Sequence, residues 1–452
     1  MTKSIAVHFR PFASATTLML ALAFLVLPPV VAARAEVRIQ EVKSEKGITA
    51  WLVEDYSVPI VAFKFLFAGG SAQDPAGKEG LANLMTGMFD EGAGDIDGDT
   101  FQTKLDDSGA EIGFRESNDA VSGSMRVLAD QQDDAFELLA LAVQKPRFDQ
   151  EPIDRIRSQV VAGIAANKRD PETLAAHVWA AAIYGDHPYS RPDAGTEQSL
   201  ANISADDLRA FHRANFARDN LHVAVVGAID AETLKKRLDQ VFGDLPEKAQ
   251  LRSVERVDPK LGQSVHNEYN LPQTSLQLVY PGVRREAPDF LAAALVDQIL
   301  GGGPFSSRLY DEVREKRGLA YNVSSSLINQ ENSSSMMIST ATRSDRAAET
   351  LGVIRDVVRK MAEEGPTAAE LEAAKKYMIG AYAINNLDSS SAIASTLVDL
   401  QVDKLGIDYM KRRVDLINAV TLDEVKAAAR KLLSVEPAVM ILGPKLAGTV
   451  NG

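Results

Sequence analysis

Two side chains in the run Gly301-Gly302-Gly303-Pro304-Phe305-Ser306-Ser307-Arg308-Leu309-Tyr310-Asp311-Glu312-Val313-Arg314-Glu315-Lys316-Arg317-Gly318-Leu319-Ala320-Tyr321 have the chemistry to steady a reacting carbonyl. The guanidinium of Arg314 and the phenol of Tyr321 are hydrogen-bond donors that can address an oxygen as it gains negative charge. A helix capped by Ser306 or Ser307 and ended by Gly318 puts Arg314 in its last turn, and a strand follows with Tyr321, Val323, Ser325 and Leu327 on one face. A short connector then brings the two side chains together. On spacing alone a plainer reading is favoured, with Arg314 pairing to Asp311 or Glu315 at the surface and Tyr321 an ordinary strand aromatic. The glycines 301, 302 and 303 lack the Gly-Lys-Ser/Thr ending of a phosphate loop; a hinge or flap beside a cleft is the preferred reading, an interhelical turn the other.

A second stretch, GGSAQDPAGKEGLANLMTGMFDEG at residues 69–92, reads as a strand end, a turn and a helix over about 79–89. Leu81, Leu84, Met85, Met88 and Phe89 make the apolar stripe that buries such a helix. A His pair at i and i+4 would let the other face chelate zinc while a nearby carboxylate activates the bound water. Asn83, Thr86 and Gly87 stand at those three places: a poor neutral donor, no carboxylate, and no side chain at all. His177, His187, His212, His222 and His266 are scattered, with no pair at helical ligand spacing, so no metal site is expected in this chain.

The segment resembles the zinc-site helix of the M16 (insulinase/pitrilysin-like) metallopeptidases, whose inverted His-x-x-Glu-His motif follows a Gly-Leu-Ala entry. The resemblance implies a further Glu ligand on a later helix, where Val160-Val161-Ala162-Gly163-Ile164-Ala165 places Gly163 and Ile164. It also implies that Arg314 and Tyr321 hold the substrate backbone and stabilise the tetrahedral intermediate opposite the zinc. With the Arg-Gly-Leu-Ala-Tyr context, the functional reading of that pair is favoured. Short M16 chains occur in pairs, one with the zinc motif and one with the Arg/Tyr pair, and this chain is similar to the second kind. The expectation is a non-catalytic, substrate-binding subunit of a heterodimeric zinc endopeptidase, with zinc on a partner M16 homologue carrying His-x-x-Glu-His. The ligand would be an extended peptide bound partly by strand addition. An inactive M16-derived scaffold is the alternative. A self-sufficient hydrolase has no support, since no Gly-x-Ser-x-Gly elbow is present.

The elements that must position these residues repeat. A strand over residues 60–67 leads through Gly69-Gly70 to the 79–89 helix, and one over 275–280 leads through Pro281-Gly282 to a helix over 289–300. Long Ala-rich helices over 150–167 and 368–384 follow, and each half closes with a helix and a strand. The fold class is α+β, with two similar αβ domains at residues 36–245 and 264–452, joined by a linker at 246–263 and forming a clam. Two M16-type domains of this size are what the resemblance implies.

Residues 1–35, with Lys3 and Arg10 ahead of an apolar run and Ala33-Arg34-Ala35, read as a secretory signal, and a periplasmic location follows. Pro28 and Pro29 interrupt that run, which weighs against a membrane anchor and leaves no membrane association after cleavage. The chain has no cysteine, which excludes disulfides and thiolate chemistry. Its net charge of −13 excludes a counterion-releasing nucleic-acid surface and suits plain solubility.

Overall fold

The computed structural model describes residues 38–303 and 305–446. The expected signal lies outside the described residues. Alternating apolar positions build a six-stranded sheet in the first half: β1 (Gln40–Lys43), β2 (Thr49–Glu54), β3 (Ile60–Ala68), β4 (Glu111–Glu116), β5 (Ala120–Leu128) and β6 (Leu221–Gly227). Their order is β1-β2-β6-β3-β5-β4, with β2 and β6 parallel and the other neighbours antiparallel. The second half has β7 (Ser264–Glu268), β8 (Gln273–Pro281), β9 (Ala320–Gln330), β10 (Ser333–Arg343) and β11 (Ala438–Gly443), in the order β9-β10-β8-β11-β7. There β7 and β11 are the parallel pair. Apart from β1, the two sheets have the same topology, so β4 and β9 are equivalent edge strands. The sequence repeat is thus a structural repeat.

Three first-half helices matter for the site: α1 (Leu81–Thr86), α2 (Gln150–Asn167) and α3 (Pro171–Tyr184). The helix expected over 79–89 is shorter because Gly80 enters it at φ +92° and Gly87 caps its end. Met88 and Phe89 remain buried in the turn that follows, completing the apolar stripe. The second half contributes α4 (Phe290–Asp297), α5 (Ala368–Asn386), α6 (Ser390–Val402) and α7 (Tyr409–Ala419).

Each half has its own apolar core, and the halves exchange one helix. Ala175, Trp179 and Ile183 of α3 pack on Val279, Ala438, Met440 and Leu442 of the second sheet. Reciprocally, α6 lies across β3 and β6 of the first sheet, where Gln401 Nε2 donates to the Val223 carbonyl at 2.9 Å. A groove of about 490 Å³ remains between α6 and the outer face of β3, β5 and β4. The tip of the β9–β10 hairpin also docks on the first half: Glu331 N donates to Asp119 Oδ2 and Asn332 N to the Tyr189 hydroxyl, both at 3.0 Å. Residues 246–263 carry no regular helix or strand before β7 and run over the surface, with Lys260 N donating to the Ile183 carbonyl at 2.9 Å. No helix among the described residues is long and apolar enough to cross a membrane.

Candidate functional site

Helix α1 is held at its start by Asp74, whose carboxylate accepts from the amides of Gly80, Leu81 and Ala82 at 2.8, 3.1 and 3.0 Å. Burial pushes this carboxyl up to about 7 against the opposite pull of the three amides. The polar face beyond it is closed by a neighbour. Glu116, at the end of β4, accepts from Asn83 Nδ2 at 2.7 Å and from Thr86 Oγ1 at 3.3 Å. The single Thr86 hydroxyl proton is shared with the Asn83 carbonyl, the nearer acceptor at 2.7 Å. A Cβ added at Gly87 would stand 3.1 Å from Ile156 on α2, while one at Gly163 would meet nothing within 4 Å. Ile164 packs against the first core. These five positions supply one amide, one hydroxyl and no imidazole or carboxylate, and their polar groups are engaged with Glu116. They do not fit a zinc ion. Among the described residues no group of three or more His, Cys, Asp or Glu side chains could hold a metal.

The second half brings Arg314 and Tyr321 together, by a route the alternation of residues did not give. Ala320 pairs with Thr342 and Val323 with Thr340, so two residues of β9 face one of β10 in a bulge. Val323 and Ser325 stay buried, but Tyr321 is turned out and is 84% exposed. It therefore does not share their face, as strict alternation required. The Arg314 guanidinium carbon lies 4.7 Å from the Tyr321 ring centroid and 4.8 Å from that of Tyr310. Its ion pair to Glu315 is loose, at 3.8 Å. Stacking fixes the direction of the arginine and leaves its edge free to donate. The Tyr321 hydroxyl has no hydrogen bond among the described residues.

The glycines are packed more closely than a free loop. Gly301 and Gly302 lie in a π-helical turn, Gln298–Gly302, that continues α4. A Cβ at Gly301 would come within 2.5 Å of the Ser325 amide. Ser325 Oγ donates to Asp297 Oδ1 beside it at 2.6 Å, and burial pushes the Asp297 carboxyl up to about 6. Downstream, Ser307 Oγ accepts from Tyr310 N at 3.4 Å, and Arg308 makes paired bonds of 2.6 and 2.8 Å to Glu370 at the start of α5. That arginine, with Thr367, holds the Glu370 carboxyl down at about 2. The segment is thus anchored on both sides of residue 304.

Three residues of these two stations escaped the sequence reading. Glu116 continues the parity of Ile112 and Phe114, and a carboxylate on an inward strand face was the available signal. Phe305 stands 74% exposed at φ +63°, a costly backbone for a bulky side chain, with its ring 5.4 Å from that of Tyr310. Their local sequence gives no such signal for Tyr310.

The strand that carries Tyr321 meets the first half at its other end. Tyr321 is the second residue of β9, while Gln330 ends it and donates to Asn118, two residues past Glu116, at 3.1 Å. Nine residues of strand span about 30 Å.

Residues 202–378 match the peptidase M16 inactive domain, and residues 50–197 match insulinase (peptidase family M16). An uncharacterized zinc protease of Mycobacterium tuberculosis is 31% identical over 325 residues, covering 69% of this chain and 71% of that one. The non-peptidase homolog YmxG of Helicobacter pylori is 24% identical over 379 residues, 82% of this chain and 86% of that one. The solved structure of a peptidase M16 inactive domain from Pseudomonas fluorescens superposes with a TM-score of 0.84 at 31% identity, covering 91% of this chain and 99% of that one.

Proposed function

Because the chain belongs to the peptidase M16 family and lacks that family's metal donors, we propose that it is the substrate-holding subunit of a two-chain zinc endopeptidase. The zinc would sit on a partner M16 chain carrying His-x-x-Glu-His, in the periplasm. One observation carries this reading: near the start of β9 the exposed Tyr321 lies with its ring 4.7 Å from the half-buried Arg314 guanidinium, while it is the other end of that strand, at Gln330, that bonds to the first half. The Tyr321 hydroxyl, which has no hydrogen bond among the described residues, is open to a peptide held by another molecule.

In this reading a peptide carbonyl accepts from the Tyr321 hydroxyl and the Arg314 guanidinium, both of which strengthen their bonds as the oxygen becomes anionic. Tyr310 lies beneath Arg314, whose ion pair to Glu315 is 3.8 Å long. The metal that activates water is the partner's.

A second reading, a scaffold that binds without proteolysis, draws support from Glu116, which has built the old metal face into an internal hydrogen-bond network. Zinc content and peptidase activity decide between them. The chain alone should hold no zinc and cut nothing; mixed with a co-encoded His-x-x-Glu-His homologue, it should give activity with one zinc per pair. Stable association without activity gained over the homologue alone would leave the scaffold.

A further inference from the structure

The bulge that turns Tyr321 outward is met by two side chains of the neighbouring strand. Met336, Ile338, Thr340 and Thr342 alternate along β10 and are all buried. The first two belong to the second apolar core, while the threonines carry hydroxyls that must find acceptors once buried. Thr340 and Thr342 are also the residues on either side of the bulge, paired with Val323 and Ala320. Thr342 Oγ1 donates to the Leu319 carbonyl at 2.6 Å, and Thr340 Oγ1 to the Asn322 carbonyl at 2.7 Å. In sequence, Tyr321 stands between those two carbonyls. Valine has the same branched shape and would fill either position; what the hydroxyls add is a bond to each side of an interruption in the strand ladder.

The same bonds reach the arginine. Leu319 N donates to the Val313 carbonyl and Gly318 N to the Arg314 carbonyl, both at 2.9 Å. Thr342 therefore anchors the connector that runs from Arg314 to Tyr321. Behind it stands Thr350, fully buried, with its Oγ1 3.0 Å from Thr342 Oγ1. With the Thr342 proton committed to Leu319, Thr350 is the donor in that contact and shares its own proton with the Arg346 carbonyl, also at 3.0 Å.

We propose that Thr340 and Thr342 are positioning residues for the Arg314 and Tyr321 pair: their hydroxyls hold the bulge in the register that sends Tyr321 to the surface beside Arg314. The proposal rests on the reading of that pair as the substrate-holding station. A strand that loses its extra residue slips by one, and a slip of one carries each side chain to the opposite face. Tyr321 then leaves Arg314.

Nitration of tyrosines by tetranitromethane, mapped by mass spectrometry on the full chain, reads the bulge without an enzyme assay. Tyr321 is 84% exposed, and Tyr56 of the first half, 62% exposed, serves as the internal reference. In the double variant Thr340→Val, Thr342→Val the ratio of Tyr321 to Tyr56 nitration should fall roughly twofold or more as Tyr321 turns from the surface. Thr342→Ser keeps the hydroxyl and should keep the wild-type ratio. If the double variant fails to fold, the two single valine variants are scored in the same way. In the reconstituted pair of chains, Thr342→Val should lower kcat roughly tenfold with little change in KM, as loss of the Tyr321 hydroxyl would, and Thr342→Ser should restore it. A wild-type nitration ratio in the folded valine variants overturns the proposal whatever the pair does. So does an active pair whose kcat is unchanged by Thr342→Val. A pair without activity, with the ratio lowered, removes the substrate-holding reading and leaves the positioning of Tyr321 standing.

Discussion

Helix α1 of the first half and residues 301–321 of the second follow equivalent strands of one repeated topology, yet they dispose of their polar groups in opposite ways. At α1 both surviving polar side chains, Asn83 and Thr86, donate inward to Glu116. At the other station a β-bulge turns Tyr321 outward, and Arg314 is held by stacking on aromatic rings. A substituted site closes when a neighbour meets its hydrogen-bond needs, because buried polar groups left unmet are costly. A station that can act on another molecule leaves its donors unmet at the surface.

The contrast requires both stations to belong to one interlocked body. Trp179→Ala removes the largest side chain that α3 buries on the second sheet and should cost about 3–5 kcal/mol in chemical denaturation. A loss near zero would mean that the exchanged helix does not hold the halves together.

Acid should weaken the first half through His212, which is buried against Phe89 and Phe216 with Nε2 at 2.8 Å from the Val143 carbonyl. Burial pulls this histidine down to about 4 from an ordinary 6.5, so the unfolded chain takes up its proton first. Its stabilisation is complete above pH 6.5 and is lost as pH falls toward 4, up to about 3 kcal/mol. Asp74 and Asp297, raised to about 7 and 6, act in the opposite direction, losing stabilisation as pH rises from 3.8 through those values. The histidine is therefore isolated by comparing wild type with His212→Phe across the acid range. Parallel stability curves would remove its role.

Two glycine substitutions sharpen the comparison at its stations. Gly301→Ala drives a methyl into the Ser325 amide and should cost about 1–3 kcal/mol. Gly163→Ala fills open space in the C-terminal part of α2 and should stabilise by about 0.5–1 kcal/mol. Equal effects in thermal melts would mean that Gly163 is under constraint after all.

Much of the fold was legible because its signals are local. The stripe from Leu81 to Phe89, the strand at 60–67 and the helix at 150–167 each follow from the spacing of apolar residues, and the repeat follows from their order. That Asn83, Thr86, Gly87, Gly163 and Ile164 offer no imidazole or carboxylate is visible without a structure, because it is a matter of residue type. The rest depends on contacts remote in sequence. Nothing near Tyr321 announces the bulge that reverses its face, since the extra residue is defined only against Thr340 and Thr342. The exchange of α3 and α6 between halves is likewise invisible to patterns that record which face is apolar and not which sheet covers it. The short π-helical turn at Gly301 and Gly302 reads locally as a loop, and only the approach of Ser325 explains its glycines.

The most direct measurement is the turnover of a peptide by the reconstituted pair of chains, with wild type against Tyr321→Phe. The substitution removes one exposed hydroxyl and leaves the ring beneath Arg314, so association and melting temperature should be unchanged. The expected result is a fall in kcat of roughly tenfold or more with little change in KM, the scale of a lost oxyanion donor. An unchanged kcat in an active pair would contradict the assignment of the second half as the substrate-holding station.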